Sequence, residues 1–175
     1  MIDFYQGFLE EVGDVPTFMM GSSAGSNLVV AALLKAHANR LPMPNGIVIF
    51  CPAVDISGNG DSAVFNNKRD ALSTHLSLRL AQRYIKDADP TSPAISPLYG
   101  NFGEWFPPTF MSTGTRDMML SSVLRFTAVL QAANVPVQSV IKEGMWHGFN
   151  WEETLPEAIA TRQAAWKFMH TRLIS

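Results

Sequence analysis

Val15-Pro16-Thr17-Phe18-Met19-Met20 runs straight into Gly21-Ser22-Ser23-Ala24-Gly25, and a long apolar stretch from Asn27 to Ala38 follows. An apolar strand, the pattern G-x-S-x-G and then a helix place a serine at the tip of a very sharp turn. A residue there sits in a strained backbone conformation, and strand and helix pass close to each other. Side chains two positions either side of Ser23 are expected to collide, so glycine is expected at both Gly21 and Gly25. Ala24 adds little bulk. The turn lifts the Ser23 hydroxyl clear of the backbone. It also aims the amide N–H of Ala24, at the start of the helix, toward whatever that hydroxyl attacks. Three fixed residues of ordinary abundance recur by chance. A plain Gly/Ser-rich turn therefore stays open as a reading until the rest of the chain is considered.

A serine nucleophile needs a histidine base, and the base needs a carboxylate to fix its tautomer. The chain has four histidines. His37 ends the first long apolar helix, His75 lies in a loop-to-helix stretch, and His170 falls in the C-terminal helix on an expected solvated face. His147 differs. It sits in Glu143-Gly144-Met145-Trp146-His147-Gly148-Phe149, just after the strand-like Val135-Pro136-Val137-Gln138-Ser139-Val140-Ile141. A histidine between a strand end and a glycine lies on a loop at the sheet edge, where reactive groups gather. A capping or packing histidine is the plain alternative.

The carboxylate candidate is Asp117. Pro107-Pro108-Thr109-Phe110-Met111-Ser112-Thr113 reads as a strand, Gly114-Thr115-Arg116-Asp117 as the turn after it, and a helix follows. Asp117 also suits a helix N-cap, and one side chain can serve both roles. Asp55, after Ile47-Val48-Ile49-Phe50-Cys51-Pro52, competes with it but comes earlier in the sheet order, so Asp117 is preferred.

The coarse organisation is a helix over 2–11, strand 15–20, helix 25–38, strand 46–51, a long excursion 53–106, strand 108–113, helix 118–133, strand 136–142 and helix 155–172. Strands alternating with helices give an α/β fold, with a mostly parallel sheet of about four strands, right-handed crossovers and flanking helices. The continuous apolar run of the first strand predicts burial on both faces. Leu28, Val29, Val30, Ala31, Ala32, Leu33 and Leu34 make helix 25–38 apolar around much of its circumference, so it is expected inside. The excursion holds one helix, roughly 73–87, with Leu76, Leu80 and Tyr84 on one stripe. Its aromatic part, Tyr99, Phe102, Trp105 and Phe106, either lines a pocket or covers the core beneath a long loop.

At 175 residues the chain reads as a single domain, 1–175, large enough for a real core. A formal charge of −2 with no basic stripe argues against a nucleic-acid partner. The one cysteine, Cys51, cannot form an internal disulfide and reads as a buried structural thiol. No apolar run reaches membrane-spanning length and the N-terminus shows no basic-then-apolar signal, so a cytoplasmic setting is expected. No metal-ligand cluster, phosphate loop or nucleotide fingerprint is present, so no metal and no cofactor are expected.

Gly21-Ser22-Ser23-Ala24-Gly25-Ser26-Asn27-Leu28 resembles the G-D-S-A-G-G-N-L signature of the hormone-sensitive-lipase-like α/β hydrolases. Gly114-Thr115-Arg116-Asp117 with Leu120-Ser121, and Gly144-Met145-Trp146-His147-Gly148-Phe149, are similar to that family's acid and base segments. Asp89-Pro90 through Ile95-Ser96-Pro97-Leu98-Tyr99-Gly100 is similar to its loop before the acid-bearing strand. By this resemblance Ser23 is the nucleophile, Asp117 the orienting acid and His147 the base. Two departures stand out. Ser22 takes the place of an aspartate, and no H-G-G-G-like loop precedes the nucleophile, so that the family's first four strands would lie before Met1. The resemblance implies a truncated α/β-hydrolase fold.

The chemistry expected is attack of Ser23 on a short-chain ester, with His147 taking the proton and an acyl-enzyme released by water. The Ala24 amide would supply one oxyanion donor. A missing donor costs about 10²–10³ in turnover, so slow hydrolysis is expected. A reading of another class is a catalytically silent remnant or fragment that acts through association. Within the hydrolase class a lactonase or thioesterase also fits. The strands at 15–20 and 136–142 are expected to be sheet edges, which points to a homo-oligomer, most simply a two-fold dimer.

Overall fold

The computed structural model describes residues 2–173. Its centre is a four-stranded parallel sheet in the order β1-β2-β3-β4, with β1 Phe18–Ser22, β2 Gly46–Phe50, β3 Thr109–Gly114 and β4 Val137–Lys142. Among the described residues the α-helices are α1 Ile2–Val12, α2 Ala24–Ala38, α3 Ser62–Phe65, α4 Thr74–Ile85, α5 Leu120–Ala132 and α6 Pro156–Leu173. Parallel neighbours need a crossover, and α2 and α5 supply those between β1 and β2 and between β3 and β4. The link between β2 and β3 is the long excursion, which carries the short α3 and the longer α4. The α3 turn has no counterpart in the sequence reading, being too short to show a period.

Side chains that alternate between the two faces of β2 build two cores. Ile47 and Ile49 join Val30 and Leu33 of α2, Met111 of β3 and Val123, Phe126 and Leu130 of α5 on one face. Val48 and Phe50 join Phe110 of β3 and Ala165 and Phe168 of α6 on the other. Every residue of β2 and β3 is buried, as expected of inner parallel strands covered on both faces.

The first strand departs from expectation. It starts at Phe18 rather than residue 15, because Pro16 has no N–H for a ladder and the Asn45 side chain takes the Thr17 N–H at 3.0 Å. Nor is it buried on both faces: its residues are half-covered and Met20 is 53% exposed. Its apolar run looks like that of an inner strand, but β1 pairs with β2 alone among the strands of the sheet and forms an edge, as expected of the strand at 15–20. Helix α2 is largely interior, as expected, except that Leu28 stands 40% exposed.

The aromatic part of the excursion covers the core. Phe106 is buried, Phe102 meets the Phe106 and Phe126 rings edge-on at 4.9 and 5.3 Å, and Trp105 stacks on His37 at 3.6 Å. Tyr99 belongs to the same cover, through a cluster with Asp55 and Arg125. Of the two readings of these rings, the structural one holds.

Phe126 ties α5 to the sheet and to this cover. Phe126→Ala is expected to lower the unfolding free energy by about 3–5 kcal/mol, read from the urea midpoint at unchanged slope. A loss below about 1 kcal/mol would show that the excursion does not pack on α5.

Candidate active site

Ser23 follows β1 directly and precedes α2. Its backbone has φ 54° and ψ −121°, a conformation that L residues rarely adopt. Three main-chain hydrogen bonds hold it there. Ser23 N donates to Phe50 O at 2.9 Å, and Ser23 O accepts from Ser26 N at 3.1 Å and Ala53 N at 3.2 Å. Gly21 is sterically required: a Cβ there would lie 2.7 Å from the Gly25 carbonyl carbon and oxygen and from Ser26 N. Gly25 is not required on the same ground, since nothing lies within 4 Å of where its Cβ would point. The expected need for glycine on both sides is corrected to one side. The close approach is of Gly21 to the Gly25 backbone, and the Gly25 side-chain direction is open. Ala24 opens α2, so its N–H is one of the first-turn donors that a helix leaves without an internal acceptor.

Asp117 lies on the turn after β3 and is fully buried. Its Oδ1 accepts from His147 Nδ1 at 2.9 Å and from Met119 N at 2.8 Å, while Oδ2 accepts from the Thr113 hydroxyl at 2.8 Å. It thus tethers the turn leading into α5 and also touches the imidazole. An ionised carboxylate only accepts, so Nδ1 carries the ring proton and Nε2 of the neutral ring faces the Ser23 hydroxyl as acceptor, at 2.8 Å. Asp117, His147 and Ser23 therefore form one continuous hydrogen-bonded row drawn from the ends of β3, β4 and β1.

Asp55 is engaged elsewhere, with Arg125 at 2.5 Å, the Ser57 amide and hydroxyl, and Tyr99. His75 and His170 are exposed and His37 is stacked on Trp105, so none of these reaches the row. Ser22, where the resembling sequences carry aspartate, accepts from the Trp151 indole N–H at 3.1 Å.

Burial alone would pull the His147 imidazole below its ordinary value. The hydrogen bond and charge of Asp117, with the charge of Asp70, outweigh it and raise the basicity. Burial would likewise raise the Asp117 carboxyl, but its hydrogen bonds to His147, Met119 and Thr113 and the His147 charge hold it below the ordinary carboxylate range. Cys51 lies close to both, its sulfur within 4.8 Å of their ligand atoms. Burial and the Asp117 charge push its thiol far up, so it is a poor metal ligand. It is also used already, donating to Asn150 Oδ1 at 3.3 Å and accepting from Gly148 N at 3.3 Å. The reading of Cys51 as a buried structural thiol fits these contacts.

Sequence reasoning missed the groups that hold the two loops. Gly114 admits no side chain, because a Cβ would collide with the Met145 carbonyl of the histidine loop. Arg116 N donates to that same carbonyl at 2.9 Å, and Gly144 N donates to Thr115 Oγ1 at 2.8 Å. Asn66 of the excursion binds the Asp117 turn, and Asp70 binds both that turn and the histidine loop. Only Gly114 carried a sequence signal, as a glycine at a strand end. Asn66 and Asp70 sit in a polar stretch with no period.

A cavity of about 340 Å³ opens beside Ser23. Ala24, Asn27 and Leu28 form one wall, and Leu72, Leu80, Ala81 and Tyr84 of the excursion form the other, so the lining is mostly apolar. The stripe of Leu80 and Tyr84 on α4 faces this space. Among the described residues no helix is long and apolar enough to cross a membrane.

Residues 6–150 match the family model described as alpha/beta hydrolase fold. The chain is 31% identical over 165 residues to an esterase of Acinetobacter venetianus, covering 90% of this chain and 53% of that one. It is 28% identical to an acetyl-hydrolase of Streptomyces hygroscopicus, covering 87% and 52%. Among solved structures, EstE7, a hormone-sensitive-lipase homologue from a metagenome library, superposes with a TM-score of 0.91 at 27% identity, over 98% of this chain and 60% of that one. The chain thus spans about half the length of the curated relatives it matches. On its parallel sheet, its strained serine turn and a family match that runs from α1 to the loop after the histidine, the chain belongs to the alpha/beta hydrolase family.

Proposed function

We propose that the chain carries a serine esterase site in which Ser23 is the nucleophile, His147 the general base and Asp117 the group that orients and charges the base. The observation that supports this most is the unbroken Asp117–His147–Ser23 row beside an apolar cavity. His147 takes the hydroxyl proton as Ser23 Oγ bonds to the ester carbonyl carbon. The oxyanion draws on the Ala24 N–H, the alcohol leaves with the proton from His147, and water repeats the sequence to release the acid. The mostly apolar cavity suits a short acyl chain, in keeping with relatives named esterase and acetyl-hydrolase.

The direct test is stoichiometric labelling of Ser23 by a fluorophosphonate together with a burst of nitrophenol from p-nitrophenyl acetate. Ser23→Ala is expected to abolish both, and His147→Ala to reduce hydrolysis by at least about 10³. Equal rates in the wild type and Ser23→Ala would remove this serine from the reaction.

The pH dependence follows from the same contacts. The base must be neutral, and the folded site holds His147 above its ordinary value of 6.5. Activity is therefore expected to fall as the pH drops through a midpoint above 6.5, while Asp117, held low, stays ionised across that range. A rate that is flat down to pH 5 would contradict His147 as base.

The exposed outer edge of β1 supports a second proposal, that copies of the chain associate, most simply as a two-fold dimer. Light scattering at micromolar concentration checks it, the expected mass being twice that of the chain. A stable monomer would overturn it.

A further inference from the structure

We infer that Asp70 is a positioning residue, a carboxylate latch that joins the loop of His147 to the turn of Asp117 and fixes the place of the imidazole, with its own charge beside the ring. The role rests on the esterase reading for its meaning in turnover, but the latch itself is geometric. Asp70 Oδ1 accepts from the backbone N–H of His147 at 2.6 Å, and Oδ2 accepts from that of Met118, the residue after the acid, at 2.7 Å. The amide of Ala71 also donates to Oδ1, at 2.7 Å. One carboxylate thus spans two segments that are otherwise separate in sequence, reaching from a third.

Asn66, four residues earlier, grips the same turn through its carbonyls. Its Nδ2 donates to Thr115 O at 3.1 Å and to Asp117 O at 2.9 Å. Asn66 therefore holds the turn by its acceptors and Asp70 holds it by a donor. Only Asp70 also reaches the histidine. The imidazole must meet Asp117 Oδ1 and Ser23 Oγ at the same time, at 2.9 and 2.8 Å, so its backbone has little freedom to drift. A misplacement of about 1 Å at such a site costs on the order of 10² in rate.

Charge is the second part of the argument. The titratable groups around His147 are Asp117 from the turn after β3, Cys51 from the end of β2 and Asp70 from the excursion. The Cys51 thiol is held neutral. Asp70 is thus the only negative charge beside His147 other than Asp117 among the described residues with such contacts, and it favours the imidazolium that forms as the serine attacks. An amide at position 70 would keep the shape, lose the charge and turn its N–H groups toward at least one of the three backbone donors.

The test compares the wild type with Asp70→Asn and Asp70→Glu. Asp89→Asn serves as control, since Asp89 caps only its own exposed turn. Two readouts are taken: kcat and KM for p-nitrophenyl acetate, and the titration of the His147 ring by NMR in uniformly labelled protein. Asp70→Asn is expected to lower kcat roughly 10- to 100-fold with KM within about twofold, and to move the ring midpoint to lower pH. Asp70→Glu keeps the charge but displaces it, so the midpoint is expected to stay near the wild type while kcat falls; it carries the test should Asp70→Asn not fold. An unmoved midpoint in Asp70→Asn, or an unchanged kcat in both variants, overturns the latch. So does a fall in kcat matched by a rise in KM and a lower melting temperature with no shift of the ring. If the wild type hydrolyses no ester, the ring midpoint still decides the latch, and the failure belongs to the esterase reading alone.

Discussion

Parallel pairing in register forces every strand of this sheet to end along one edge. Ser22 lies opposite Phe50, Phe50 opposite Ser112 and Ser112 opposite Val140. A single row of paired residues therefore crosses all four strands just before the chain leaves the sheet. What comes next on β1, β3 and β4 is Ser23, the turn of Asp117 and the loop of His147. Three residues far apart in sequence meet because each strand has only one direction in which to end. The hydrogen-bonded row between them is the product of that constraint and of short, tightly clamped turns.

The clamps are costly. Ser23 and Cys51 both have positive φ without being glycine, and each such residue stores about 1–3 kcal/mol of strain. Both are held by the neighbouring strand. Ser23 N donates to Phe50 O, and Cys51 N donates to Ser112 O at 2.7 Å. Each strained residue thus sits one step past a ladder that continues its bonding beyond the strand end. The cores on the two faces of β2 keep that ladder rigid, so the strain at the edge is offset by apolar burial at the centre.

How much of this was legible depends on the range of the interaction. The three members of the hydrogen-bonded row could each be picked out, because each stands at a local signal: a G-x-S-x-G after an apolar run, an aspartate after a strand and before a helix, a histidine before a glycine. The alternation of strands and helices predicted the parallel sheet in the same way. The edge position of β1 was expected, but its apolar run was also read as burial on both faces, because apolar content does not say how much of a strand is covered. Met20 is as apolar as Ile49, yet one is half-exposed and the other buried. Gly25 was misread for a related reason. The pattern is symmetric about Ser23, but the crowding is not, since only the strand-side glycine faces the helix backbone. Asp70 and Asn66 had no local signal, their meaning lying wholly in partners on other segments.

The excursion is where these scales join. Its aromatic end packs on α5 through Phe102 and Phe126, its α4 gives Leu80 and Tyr84 to the wall of the cavity, and its polar middle holds both loops through Asn66 and Asp70. One connection between β2 and β3 thus covers the core, shapes the space in front of Ser23 and supports the groups behind it. These tasks are physically linked. A change of packing at α4 bears on a segment whose other contacts fix the His147 backbone. The same connection therefore contributes both to the lining of the cavity and to the hydrogen bonds that fix the His147 backbone.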